Sequence, residues 1–224
     1  MTPRFSDISV PPENERQLYQ RALALAGRSL ATLAAEIGIA LPLSTRHAKG
    51  WAGLLAEYYL GAMSGSKPQP DFPQFGIELK TIPVDVKGKP LESTFVCVAP
   101  LTNNNGLSWS TSLVKQKLQH VLWIPIVGAR GCLWSERRLG NPLLWSPNAQ
   151  QLHQLQQDWE ELMEQIVLGN SQKISAHYGE VLQLRPKAAN RRARTAGIDK
   201  DGKVIMTLPL GFYLRSRFTA TLLL

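Results

Sequence analysis

The chain has 224 residues, 44% of them hydrophobic, with 25 basic and 17 acidic side chains and a formal net charge of +8. That length suits one compact domain, or two small lobes sharing an interior, with enough apolar residues for a real core. No apolar run reaches the roughly 18 residues a membrane-spanning helix needs, and Met1 to Glu13 lacks the pattern of a secretory signal. Cys97 and Cys132 form no CxxC and sit in apolar stretches, so two reduced core thiols in a cytoplasmic protein are expected.

The first quarter predicts three helices. Glu13 to Ala26 follows Pro11-Pro12 and ends at Gly27. Ser29 can cap a second helix that stops at Gly38. A third runs from about Ala48 to Leu60, with Trp51, Leu54, Leu55 and Tyr58 at helical spacing as a core stripe. A loop rich in Gly, Ser and Pro follows, and then the period changes: Phe75 to Ile82 alternates like a strand. Ser93 to Ala99 and His120 to Val127 are further β-rich segments. Between them lies a short helix, with Thr111 or Ser112 as its cap. Asn148 to Leu168 is the longest helical pattern, closed by Gly169. The remainder reads as mixed: a strand around Val181 to Leu184, a helix around Lys187 to Thr195, a hairpin near Asp201-Gly202, then GFYLRSRF from Gly211. With no internal repeat, the expected class is α/β, a central mixed sheet flanked by helices.

Charge is unevenly placed. Between Arg185 and Arg217 there are nine basic residues against Asp199 and Asp201, so nearly the whole excess lies in the last quarter of the chain. A localised basic surface attracts a polyanion through phosphate contacts and counterion release. A solvated basic face would read the same way from charge alone.

The residues that point to chemistry are Asp71, Glu78 and Lys80, in the run DFPQFGIELK. On a strand, positions i and i+2 share a face, so Glu78 and Lys80 stand together while Ile77 and Leu79 enter the core. Two carboxylates can hold a hard cation such as Mg²⁺ through oxygen ligands. A lysine beside them can orient an attacking water or stabilise the charge that develops on phosphorus. Together they spell the D…ExK pattern of restriction-type nucleases. The pattern is short, and solvated strands also carry such pairs. Glu57 lies in an otherwise apolar helix and needs a partner, either a basic side chain or a metal. Other schemes lack their residues. The four histidines, His47, His120, His153 and His177, show no metal-ligand spacing. Gly61 to Lys67 falls one residue short of a phosphate loop, is followed by Pro68 and precedes a strand. No GxSxG elbow is present.

Long phrases carry a more specific signal. KGWAGLLAEYYLGAMSGSKPQPDFPQFGIELKTIPVD, KPLESTFVCVAPL, KLQHVLWIPI, PLLWSPN, DWEELMEQIVLG, LRPKAAN and LPLGFYL stand in this order from Lys49 to Leu214. In them the chain resembles the MutH family, the strand-nicking endonucleases of bacterial methyl-directed mismatch repair. A related likeness is to a restriction enzyme with the same GATC target.

The resemblance implies one endonuclease domain over residues 1–224, with a restriction-endonuclease-like core and two lobes around a DNA cleft. The catalytic core is expected at about 48–130 and a basic DNA-recognition region at about 180–218. It further implies nicking 5′ to the G of GATC, on the unmethylated strand of hemimethylated or unmethylated DNA. Mg²⁺ would be the cofactor, with Mn²⁺ or Ca²⁺ able to substitute in binding. The expected partners are double-stranded GATC DNA and MutL as activator downstream of MutS, with no membrane, and the enzyme is expected to be a monomer.

Family roles carry over residue by residue. Asp71, Glu78 and Lys80 match the catalytic trio, Asp71 and Glu78 being the metal ligands, and Glu57 and Lys117 match further active-site positions. Arg185 and Pro186 match the segment that reads GATC, arginine suiting the acceptor edge of guanine. Lys187 reads a base or holds a phosphate. Tyr213 matches the residue that senses adenine methylation, with strand-edge packing as the plainer role. Phe95 is a wedge into DNA or a core residue, and Lys49 and Glu92 fall in phrases that face DNA. Two other readings use the same residues: a free-standing GATC restriction enzyme that breaks both strands, and a DNA-binding module without catalysis.

Overall fold

Side chains set the ends of the first helices. Asn14 caps α1 (Glu15–Leu25) by accepting from the Gln17 amide, and Ser29 caps α2 (Leu30–Glu36) by accepting from Thr32. α3 spans Thr45–Leu60. The computed structural model describes residues 10–42, 45–62, 69–171, 178–187 and 192–224, with the side chains of 45–49 outside that description. Residues 63–68 of the expected loop after Leu60 therefore lie outside the described residues.

The later helices are α4 (Leu113–Leu118), α5 (Ala149–Val167) and α6 (Ser216–Leu223). Ser112, not Thr111, caps α4, while Trp109 to Thr111 forms a single 3₁₀ turn before it. Asn148 and Gln151 cap α5 reciprocally. In chain order the strands are β1 (Glu78–Val84), β2 (Thr94–Val98), β3 (Val121–Val127), β4 (Arg138–Leu139), β5 (Leu143–Trp145), β6 (Leu182–Pro186), β7 (Thr195–Ile198), β8 (Val204–Thr207) and β9 (Leu210–Leu214). The class is α/β, as the sequence predicts, with one mixed sheet, and the other two sheets of the described residues are antiparallel.

The chain divides into two units. The first comprises Met1–Glu92, His120–Ser146 and Leu222–Leu224, the second Ser93–Gln119 and Pro147–Thr221. Residues 48–130 thus contribute to both, whereas 180–218 lie within the second. In the first unit β1 and β3 pair in parallel, and β4 and β5 pair antiparallel with β3. Leu18, Leu30, Leu33, Leu55 and Leu60 of the helices bury against Phe72, Ile77, Leu122 and Ile124. β3 reads as a continuous apolar run because it is covered on both sides. In the second unit β9 is the centre of a three-stranded antiparallel sheet, between β2 and β6, and β7 and β8 form a separate hairpin.

Three expectations change. The strand expected from Phe75 begins at Glu78, because Phe75 and Gly76 belong to a turn and Gly76 has φ +65°. The helix expected over Lys187 to Thr195 is not formed by the described residues. The Lys187 amide donates to the Pro209 carbonyl at 2.8 Å, prolonging the β6–β9 ladder, and Thr195 opens β7; residues 188–191 lie outside the described ones. The segment after Leu214, left without a type by the sequence, is helical. Both cysteines are free, Cys97 buried but Cys132 only half-buried. Among the described residues no helix is long and apolar enough to cross a membrane.

One packing contact has a spectroscopic signature. The Tyr59 hydroxyl donates to the Leu33 carbonyl at 2.7 Å and to Glu36 Oε2 at 3.1 Å. Burial, then Glu36, pushes its pKa up to about 12. The phenol is neutral in the fold where the unfolded chain, with a pKa near 10, would ionise. Its contribution is therefore full below about pH 10 and lost as pH rises towards 12. An absorbance titration at alkaline pH is expected to show late tyrosine ionisation that Tyr59→Phe diminishes by one residue. A titration complete by about pH 11 in the folded wild type would contradict this.

Candidate active site and nucleic-acid interface

The spacing of Asp71 and Glu78 is set by a tight turn. Phe72 and Ile77 exchange backbone hydrogen bonds of 2.9 and 3.2 Å, an antiparallel bridge that closes residues 73–76 as a loop. Asp71 stands one residue before this bridge and Glu78 one residue after it, so the loop returns the chain with both carboxylates at its mouth. Asp71 Oδ2 accepts the Leu79 amide at 2.8 Å, which ties the carboxylate to the start of β1. The turn thus brings two acids separated by six residues to the same end of one strand.

Glu78 and Lys80 follow the strand rule. They share a face, and Lys80 Nζ donates to Glu78 Oε1 at 2.6 Å, with side chains only 11% and 3% exposed. Two charges withdrawn this far from water are costly to keep as a pair, and costlier still if one is removed. A second carboxylate, Asp71, bound to the Leu79 amide next to a dry carboxylate–ammonium pair makes a negatively charged oxygen site at the start of β1. Among the described residues no three His, Cys, Asp or Glu gather as a metal cage. Two carboxylates still fit a magnesium ion, which keeps several waters and takes further oxygens from phosphate. Softer metals, which favour sulfur or imidazole, fit less well.

Glu57 lies on α3, one turn after Gly53, whose Cβ position stands 3.6 Å from Thr81 Oγ1 of β1. Residues four apart share a helix face, so Glu57 is on the side of α3 that packs towards β1. It is half-buried, like Glu92 at the end of this unit. Lys117 belongs to the second unit, half-buried in the last turn of α4. The Lys49 side chain lies outside the described residues.

In the second unit, one face of the β2–β9–β6 sheet gathers Phe95, Tyr213, Arg185 and Lys187, whereas Pro186 falls on the alternate face with Leu184 and Leu210. Tyr213 pairs with Phe95 on one side and Gln183 on the other, and Arg185 pairs with Gly211. Phe95 and Tyr213 meet edge to face at 5.3 Å, Arg185 lies 5.8 Å from the Tyr213 ring, and Lys187 Nζ stands 4.1 Å over the Phe95 ring. Arg185 also donates to Ser93 Oγ at 2.6 Å. Arg185, Pro186 and Lys187 are exposed, and Pro186 ends β6. Burial raises the Tyr213 phenol above its ordinary range against the opposing pull of Arg185, so the hydroxyl is neutral at physiological pH. Cations braced on aromatic rings present both phosphate-binding charge and flat surfaces for bases.

A bulge in β2 makes this face possible. The register steps from Phe95↔Tyr213 to Cys97↔Phe212, leaving Val96 as the extra residue. Phe95 therefore lies half-buried on the basic face, while Val96 and Cys97 are buried. Gly211 is needed beside it, since a Cβ there would come within 2.8 Å of Phe95 Cε2 and 3.2 Å of the Cys97 carbonyl. The sequence reading missed Ser93 and Gly211, since neither carries a charge or a motif. It also missed Asp158, which had one legible signal: an acid on the apolar stripe of α5, between Leu155 and Leu162.

The MutH model, described as DNA mismatch repair enzyme MutH, matches residues 60–158. The chain is 58% identical to the DNA mismatch repair protein MutH of Serratia proteamaculans over 98% of its own length and 96% of that protein. It is 57% identical to the protein of the same name from Photorhabdus laumondii, over 100% of the chain and 97% of the relative. A Shewanella relative of that name is also 57% identical, over 96% of each. With identity of this order along nearly the whole of both partners, the chain belongs to the MutH family of DNA mismatch repair enzymes.

Proposed function

We propose that this protein is a magnesium-dependent endonuclease that nicks the unmethylated strand 5′ to the G of GATC in hemimethylated or unmethylated DNA. The observation that carries the reading is the dry Glu78–Lys80 pair with Asp71 folded next to it. Asp71 and Glu78 would hold the cation, which when bound supplies charge neutralisation at the scissile phosphate and helps ionise the attacking water. Glu78 holds the Lys80 ammonium at the polar face of β1, where it can orient that water or meet the charge growing on the phosphate oxygens. Glu57 and Lys117 are assigned supporting roles at the active site on the strength of the resemblance.

On the second unit, Arg185 and Pro186 would read the target, with Lys187 on a base or phosphate and Tyr213 testing adenine methylation. The braced cations and neutral phenol support these assignments. Phe95 is proposed as the residue that wedges between bases, and Lys49 and Glu92 as further residues facing DNA. The remaining parts of the proposal follow the family: a monomer of the cytoplasm with a restriction-endonuclease-like core and two lobes that flank DNA, activated by MutL once MutS has found a mismatch. Residues 48–130 are proposed as its catalytic core.

A circular-plasmid assay tests the whole reading. Unmethylated, hemimethylated and fully methylated GATC substrates are compared with Mg²⁺ or EDTA, and with or without MutL. Open circles cut only in unmethylated strands, dependent on Mg²⁺ and increased by MutL, are expected. Linear product without MutL would instead mark a restriction enzyme, and tight GATC binding without any product a binding module.

A further inference from the structure

We infer that Asp158 is a positioning residue for target discrimination, gripping the root of the strand that carries Arg185 and Lys187. The inference rests on the proposed GATC recognition by those two residues. Asp158 projects from α5 and is only 3% exposed. Its Oδ2 accepts three successive backbone amides, from Glu180 at 2.9 Å, Val181 at 2.6 Å and Leu182 at 2.8 Å. Oδ1 is held by Gln154 Nε2 at 3.2 Å. A carboxylate buried this deeply is tolerated only when such donors satisfy it.

The carbonyls of the same segment are held separately. Arg215 donates to the Gly179 and Tyr178 carbonyls at 3.0 and 2.8 Å, and Arg217 donates twice to the Glu180 carbonyl, at 3.1 and 2.8 Å. Gly179 has φ +72°, and a Cβ there would come within 2.0 Å of the Leu182 carbonyl oxygen, so the chain folds back tightly at the grip. Amides held by a carboxylate and carbonyls held by guanidiniums leave the root of β6 little freedom to slide.

Sliding is what would matter. Side chains alternate along a strand, so a one-residue slip sends every residue to the opposite face. β6 enters its ladder at Leu182↔Leu214, directly after the grip, and reaches Arg185↔Gly211 three residues later. The positions of Arg185 beside Tyr213 and of Lys187 over Phe95 therefore depend on the register fixed at residues 180–182. The interactions that read a base need geometry of this kind, whereas attraction between a basic surface and phosphate does not. Loosening the grip should cost discrimination more than affinity.

Asp158→Asn in the full chain tests this, because it keeps the shape and removes the charged acceptor. Binding to a GATC duplex and to a scrambled duplex is measured across a salt series, alongside hydrogen exchange of the amides at 180–182. The expected result is faster exchange at those amides and at least an approximately tenfold fall in the GATC-to-scrambled affinity ratio. That is the discrimination one good bidentate base contact supplies. The salt dependence on scrambled DNA should be unchanged. An unchanged ratio, or an equal loss on both duplexes, would overturn the inference and leave GATC recognition standing. A wild type with no GATC preference would remove the recognition reading and this inference with it. Should Asp158→Asn not fold, Arg217→Lys keeps the charge, loses the double donation to Glu180, and is expected to shift the ratio in the same direction by less; no shift there would equally overturn it.

Discussion

Lys80→Ala is expected to lower the nicking rate at least several hundred-fold, and Glu78→Ala to do the same, the scale seen when one preorganised charged or polar group is removed from a transition state. Each single variant is also expected to lose about 3–5 kcal/mol of stability, because it strands the other charge of a pair whose side chains are 3% and 11% exposed. The two effects separate in the double variant Glu78→Gln/Lys80→Met. With no uncompensated charge in the interior, that protein should regain most of the lost stability in a urea titration and remain inactive. A double variant that folds well and stays dead assigns the pair to chemistry rather than to the fold. Appreciable nicking by either alanine variant in pure protein would sink the catalytic assignment.

Tyr213→Ser is expected to narrow the rate gap between unmethylated and fully methylated GATC by at least about tenfold, the scale of one lost or obstructed polar contact. Tyr213 is wedged between Phe95 and the Arg185 guanidinium, and its phenol stays neutral. A hydroxyl fixed in that way can accept from an adenine amine and collide with a methyl on it. Serine lacks the reach for either. Rates on the three methylation states should converge while the salt dependence of binding holds. Unchanged discrimination would move the sensing role to another residue.

Much of the catalytic geometry was legible because it is local. The alternation through Ile77, Glu78, Leu79 and Lys80 gave the shared face of the acid and the lysine, and the structure adds why Asp71 precedes Glu78 by seven residues: the bridge at Phe72 and Ile77. Helix starts were legible at Ser29 and Asn148, whereas Asn14, which caps α1, fell inside the stretch expected to be helical. Apart from the local turn at Phe75 and Gly76, what failed depended on partners distant in sequence. Lys187 looked helical beside a basic run, but its amide is taken by Pro209. β4 and β5 have only two and three residues, too few to show a period, and exist because β3 offers them an edge. Asp158 finds three of its four donors more than twenty residues away. Phe95 could not be assigned between core and surface from alternation alone, and the reason is the unpaired Val96.

That single extra residue acts as a change of reading frame within one strand. Before it, the odd-numbered Phe95 looks towards the basic face; after it, the odd-numbered Cys97 looks into the interior. A substitution in β2 therefore damages one surface, but a one-residue deletion would exchange the two, turning Phe95 inwards or Cys97 outwards. The strand should tolerate changes of letter far more readily than changes of length, and homologous chains aligned through it should keep its residue count even where the residues differ.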